Sequence, residues 1–167
     1  MPKKVTFASG QWVSYQYNAS GTKLKKTLST GNVTDYVGNV LYENNVVYQI
    51  SHEEGRAILN GTNYDYQFDI SDHLGSLRVS FKDSLGIPKI TQAQDYDPWG
   101  WELQTGKKQS QKPDNYRFNG KENDNSFGLN WVDFGARMQD KVLGRWWDQL
   151  THWRKLQGGS VRLRIRI

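Results

Sequence analysis

The spacing of turn signals limits this chain more than any other feature. From Gly10 to Gly100 they recur roughly every ten positions, a hairpin spacing. They fall at Asn18 to Gly21, Gly38-Asn39, Asn44-Asn45, Glu54-Gly55, Asn60-Gly61, Leu74-Gly75, Leu85-Gly86, and the pair Pro98 and Gly100. Between turns the residues alternate, as Val13, Tyr15 and Tyr17 do before the NASG turn and Leu24 after it, and no segment sustains a helical period. Period-two patterning around Asn/Gly turns is the pattern of antiparallel hairpins. The predicted fold class is therefore mainly β, a continuous antiparallel hairpin sheet with little helix. The 7 Trp, 9 Tyr and 6 Phe beside 16 Gly and only 4 Pro point the same way. At 167 residues the chain is long enough for one domain with a real core.

Several classes drop out. Without cysteine there are no disulfides and no thiolate metal sites. No apolar run approaches a membrane span, and MPKKVTFASG lacks the apolar stretch of a signal peptide. Sequons at Asn18, Asn32 and Asn60 read as ordinary turn chemistry. The net charge of +5 comes from the end of the chain: five of the 22 Lys and Arg lie in 150–167, which leaves 17 bases against 17 acids in 1–149. Along the chain we expect hairpins over 1–102, a mobile polar loop over 103–115 (LQTGKKQSQKPDN), a short-stranded aromatic segment over 116–149, and a basic tail over 150–167.

The segment YRFNGKENDNSFGLNWVDFGARMQDKVLGRWWD carries an ordered set of words. They are Asn119-Gly120-Lys121-Glu122, then Gly128-Leu129 with Trp131, then Asp133 with Gly135-Ala136-Arg137, then Gly144-Arg145-Trp146. This order resembles the core segment of the Rhs/YD-repeat family, in its Bacteroidetes-like form. Upstream, YQYNASGTKL, with Tyr15, Tyr17 and Gly21, resembles a YD repeat in which Asn18 replaces the usual Asp. DHLGSLRV, with Asp72, His73, Gly75 and Arg78, and DPWG, with Asp97, Pro98 and Gly100, resemble two further family elements. The resemblance covers roughly residues 10–149, and repeats of this kind build spiral sheets. It implies a YD-repeat sheet forming part of a hollow β-shell that encloses a C-terminal toxin, with family members secreted or held at the cell surface. These residues are then structural. The implied partners are the rest of the shell and its toxin cargo, and open strand edges are expected to self-associate.

In that family the G-R-W element is followed by D-P-L-A-E, which is absent after Asp148. One base out of register, synonymous codons for Gln149 to Ile167 can be chosen to read TDPLAEATRRFSPFTYTY. The tail is therefore expected to be a frameshift product, and the chain a fragment lacking the toxin and the cleavage element.

Reactive constellations are weak. Asp95 and Asp97 flank Tyr96 before Pro98, where alternate residues of a strand ending in a turn explain them better than an acid/base dyad. His52, His73 and His152 have no metal spacing, and His73 is expected to be a hydrogen-bonding turn residue. Arg137 and Arg145 are expected to pair with Asp133 or Asp140. No catalytic, cofactor or metal residue is assigned, and no specific nucleic-acid or membrane partner. The leading expectation is a non-enzymatic shell fragment. The alternative is a small β-rich module that binds carbohydrate or a cell-surface polymer, weakly, through Trp99, Trp101, Trp131, Trp146 and Trp147.

Overall fold

A computed structural model describes residues 2–109, 112–135 and 137–147, and the backbone of 164–166. The remainder of the expected tail, including Trp153, Arg154, Lys155 and Arg162, lies outside the described residues, as does Ala136. The strands are β1 (Lys4–Thr6), β2 (Trp12–Tyr17), β3 (Lys23–Leu28), β4 (Val33–Val37), β5 (Val40–Glu43), β6 (Val46–His52), β7 (Gly55–Asn60), β8 (Asn63–Ser71), β9 (Leu77–Ser84), β10 (Ile87–Ala93), β11 (Glu122–Asp124), β12 (Trp131–Asp133), β13 (Met138–Asp140), β14 (Arg145–Trp147) and β15 (Arg164–Arg166). Among the described residues the helical elements are two single 3-10 turns, Phe118–Gly120 and Ser126–Gly128.

β1 to β10 follow one another in a single antiparallel meander, and β15 pairs with the outer edge of β1 to make an eleven-stranded sheet. β11 to β14 form a second, four-stranded meander. The mainly β expectation holds, and the hairpins turn where the sequence signals stood. Asn44 and Asn45 both take positive φ (51° and 66°), the two-residue loop whose twist matches the flanking strands. Leu85-Gly86 makes the same loop, with φ 57° and 80°, and Leu85 is fully exposed there.

The apolar core lies where the two sheets meet. Val5, Val13 and Tyr15 from β1 and β2 are buried against Leu129, Trp131 and Met138, with Phe7, Tyr17, Leu28 and Trp147 packed around them. Beyond β4 the covered side chains are mostly polar: Gln49, Arg56, Gln67, Ser80 and Gln92 are all buried. Among the described residues, aromatic pairing across that part of the large sheet is Phe68 stacked on Phe81 with His52 at the edge of Phe68. The polar segment 103–115 forms no strand among its described residues, yet it is fastened. Lys108 and Ala93 exchange backbone hydrogen bonds at 2.8 Å, and the Lys112 ammonium donates to the Leu59 carbonyl at 2.6 Å.

Two turn positions give opposite outcomes on substitution. A Cβ at Gly55, whose φ is +151°, would sit 2.2 Å from the Gln67 carbonyl oxygen, a backbone atom that cannot move aside. Gly55→Ala should therefore cost about 2–4 kcal/mol. Leu85→Asn should stabilise by about 0.5–1 kcal/mol, because asparagine tolerates the left-handed conformation that leucine resists. Urea unfolding of the two variants beside the parent chain checks both signs.

Candidate functional site

The second sheet meets the first across a row of charges. β3 is lysine-rich, and its pairing with β2 shifts register between Gln16 and Tyr17, so that Tyr17 pairs with Lys23 and Gln16 with Lys25. Leu24 is the extra residue and points outward, 43% exposed. The bulge places Lys23 and Lys26 on the covered face. Facing them stand Glu122 and Asp124 of β11 and Asp133 of β12. The Lys23 ammonium lies 2.5 Å from Glu122 Oε2 and 2.7 Å from Asp133 Oδ2, and Lys26 lies 3.6 Å from Glu122 and 3.7 Å from Asp124. Two phenols complete the set: Tyr36 donates to Glu122 and Tyr15 to Asp124, each at 2.7 Å.

Protonation states follow from these contacts. Burial is the largest influence on Lys23 and pulls its pKa down, but Glu122 and Asp133 together outweigh it and hold the ammonium protonated. Burial, then the negative charge of Asp124, pushes the Tyr15 phenol well above its usual range, and burial with Glu122 does the same to Tyr36. Burial would raise Asp124, yet Lys26 and hydrogen bonds from Ser126 and Tyr15 leave it lowered. The row is two ammonium ions, three carboxylates and two neutral phenols that saturate one another.

A second knot centres on Glu102, which accepts from Arg117 at 2.6 Å and pairs with Lys107 at 2.9 Å and Lys141 at 3.4 Å. Burial would lift its pKa, but Arg117, Lys107 and Lys141 reverse that and bring it to about 2. A third centres on Arg56, 1% exposed, which donates to Gln67 at 2.9 Å and to the Lys112 carbonyl at 3.2 Å and faces Asp114 at 3.6 Å. Beside it an open cleft of about 470 Å³ is lined by His52, Asp69, Asp114 and Tyr116. Burial raises both Asp69 and Asp114 above the usual carboxylate range, while Ser80 donates to Asp69 and Arg56 faces Asp114. No group of three His, Asp or Glu side chains among the described residues is placed to hold a metal ion.

The sequence motifs meet in space as turns. Gly75 of the DHLG turn lies against Asn119 and Gly120 of the NGKE turn, where the Ser76 hydroxyl and Asn119 also hydrogen-bond. Gly100 leaves room for the Phe118 ring, which a Cβ would meet at 2.6 Å, and Gly144 sits under Trp99. Within DHLG the working residue is Asp72. It accepts from the Leu74 and Ser76 amides and from Arg78, whereas His73 is exposed, which corrects the expected role of His73. Asp97 likewise accepts from the Trp99 and Trp101 amides of its own turn, whereas Asp95 reaches across to Arg78 of β9.

No family model matches the chain. It is 28% identical, over an alignment of 134 residues that covers 72% of this chain and 5% of the relative, to the tRNA3(Ser)-specific nuclease WapA of Bacillus spizizenii. Among solved structures it superposes on TcdB2-TccC3-TEV with a TM-score of 0.64 at 16% identity, covering 82% of this chain and 8% of that one. In fold the chain is similar to one stretch of TcdB2-TccC3. The similarity persists, at a TM-score of 0.61 and 16% identity over 81% of this chain and 7% of that one, in TcdB2-TccC3 without its hypervariable C-terminal region. The stretch matched in that second structure lies outside the hypervariable region.

Two further expectations are corrected. Among the described residues neither Arg137 nor Arg145 makes the ion pair expected with Asp133 or Asp140. Asp133 is taken by Lys23, Asp140 accepts the Val142 and Leu143 amides of its own turn, and Arg137 lies over the Trp146 ring at 4.5 Å. The five tryptophans do not form one face: Trp131 is buried in the core with the Trp147 ring tilted against it, whereas Trp99, Trp101 and Trp146 are exposed, Trp146 packing on Phe134 and Trp99 covering Gly144. The charged row itself was not anticipated; the three lysines of KLKK with a Tyr-rich strand before them were the available signal.

Lys23→Met should cost about 3–5 kcal/mol, since it leaves Glu122 and Asp133 covered and short of a counter-charge. Adding Glu122→Gln and Asp133→Asn should recover part of the loss in chemical denaturation. Glu102 sets an acid dependence. Its folded pKa of about 2 lies below the ordinary 4.5, so its contribution is complete above about pH 4.5 and is lost as pH falls toward about 2. Asp69 and Asp114, being raised, act in the opposite sense, so the comparison must be with Glu102→Gln. Stability of that variant should fall less steeply than the parent's across this window.

Proposed function

We propose that this chain is one stretch of the wall of a toxin-associated β-shell of the Rhs/YD-repeat type, acting as a scaffold and not as an enzyme. The observation that carries the reading is the way the ordered motifs meet. The DHLG turn docks on the NGKE turn, the DPWG turn on Phe118, and the G-R-W turn under Trp99. Motif residues used as packing contacts and turn formers are what a wall built from repeats requires. The meander of ten consecutive strands and the fold similarity to TcdB2-TccC3 support the same reading.

The chain spans 5% of WapA and 7–8% of the TcdB2-TccC3 chains, so shell closure, cargo and location are part of the proposal. In a full-length relative the partners are the remaining wall and an enclosed C-terminal toxin, at the cell surface or outside the cell. The out-of-frame origin of 150–167 belongs to the same proposal; coding DNA in which no one-base shift opens D-P-L-A-E would remove it.

Incubated with tRNA and with denatured protein, the purified chain should produce no turnover above buffer. Turnover abolished by Asp69→Asn or Asp114→Asn, the two carboxyls of the open cleft, would instead make that cleft an active site.

A further inference from the structure

Every strand from β2 to β9 is paired on both sides by its neighbours in the meander, so the meander of β1 to β10 has its own edges at β10 and at β1. The two edges differ. β10 carries exposed Ile87 and Ile90 and, among the described residues, is paired beyond β9 through the single bridge from Ala93 to Lys108. The outer edge of β1 is occupied by the chain's own β15, antiparallel, with Lys4 opposite Arg166, Val5 opposite Ile165 and Thr6 opposite Arg164.

Backbone alternation defines what this edge offers. The Tyr15 amide donates to the Lys3 carbonyl and the Phe7 amide to the Gln11 carbonyl, each at 2.9 Å, so the odd residues of β1 face β2. The N–H and C=O of Lys4 and Thr6 then point outward, and Lys4/Arg166 and Thr6/Arg164 are the hydrogen-bonded pairs. Val5 is fully buried in the apolar cluster, and residues directly opposite share a face. The position opposite Val5 therefore lies on the core face, and its two neighbours lie on the other. An occupant is selected by main-chain pairing plus a polar–apolar–polar pattern. The alternation of VRLRIRI at the end of the chain has that pattern.

We propose that the outer edge of β1 is a strand-acceptor site for an extended segment patterned polar–apolar–polar, and that Arg164–Arg166 fills it in cis. A three-residue pair is weak by itself. Attachment through the same chain raises its local concentration to about the millimolar range, which keeps the edge covered yet open to exchange with a competing strand.

Amide hydrogen exchange on the full chain tests this. Lys4 and Thr6 should exchange at least about tenfold more slowly in the parent chain than in the double variant Arg164→Pro/Arg166→Pro, which lacks the two donors. A synthetic SVRLRIRI peptide at about millimolar concentration should restore protection to the double variant in a saturable manner. The same peptide with proline at its last two arginine positions should not. Thr6→Pro removes an outward N–H while leaving Val5 and Phe7 bonded to β2, so it should abolish rescue read at Lys4, with the Val13 and Tyr15 amides reporting that the fold is intact. Equal exchange in parent and double variant overturns the proposal, as does rescue by the proline peptide. Sedimentation velocity should give the same oligomeric state for the parent chain and the double variant; a dimer dissociated by the double substitution would overturn the assignment in cis.

Discussion

One ammonium ion between two carboxylates, Lys23 with Glu122 and Asp133, determines how the rest of the molecule is arranged. The second sheet consists of three-residue strands, too short to stand alone in water. It must be held on the first sheet, and the charged row and the apolar cluster beside it do so together. The row works because each of its members is satisfied. Tyr15 belongs to both, with its ring in the cluster and its hydroxyl on Asp124. A half-satisfied version would be worse than an apolar contact of the same shape, because the leftover charge would stay covered.

Turn chemistry was readable in the sequence because it is local. Asn44-Asn45 and Leu85-Gly86 need only their own backbone angles to be explained, and they lie where the pattern put them. β3 was not readable. Strict alternation from Val13, Tyr15 and Tyr17 through the turn sends Leu24 inward, whereas the bulge opposite Gln16 and Tyr17 sends it outward and turns Lys23 in. A lysine looks like a solvated charge until its partners are known, and these stand about a hundred positions away. Arg56 was missed for the same reason, and Asp133 was given to nearby arginines when the fold takes it to β3. Sequence proximity is a poor guide to pairing in a sheet whose second layer arrives from a distant segment.

Net charge was equally incomplete as a guide. The first 149 residues balance, yet the signs are sorted in space. Glu102, Asp114, Glu122, Asp124 and Asp140 are buried. Lys82, Lys89, Lys108 and Lys112 gather around an open cleft of about 380 Å³ near β10, where Asp65 is the acid among the lining residues. Arg56, Arg117 and Lys141 are buried with those acids, and Lys23 and Lys26 are nearly so, so the interior balances as well and the positive excess near β10 is local to that cleft.

The uneven distribution of apolar contact has a thermal consequence. Near β1 and β2 cohesion comes from hydrocarbon withdrawn from water, which weakens on cooling. Around Arg56 and Gln92 it comes from hydrogen bonds and paired charges, whose solvation penalty shrinks on warming. The two ends of one continuous sheet thus both loosen in the cold, one because hydrocarbon is expelled from water less strongly and the other because stripping water from charge costs more.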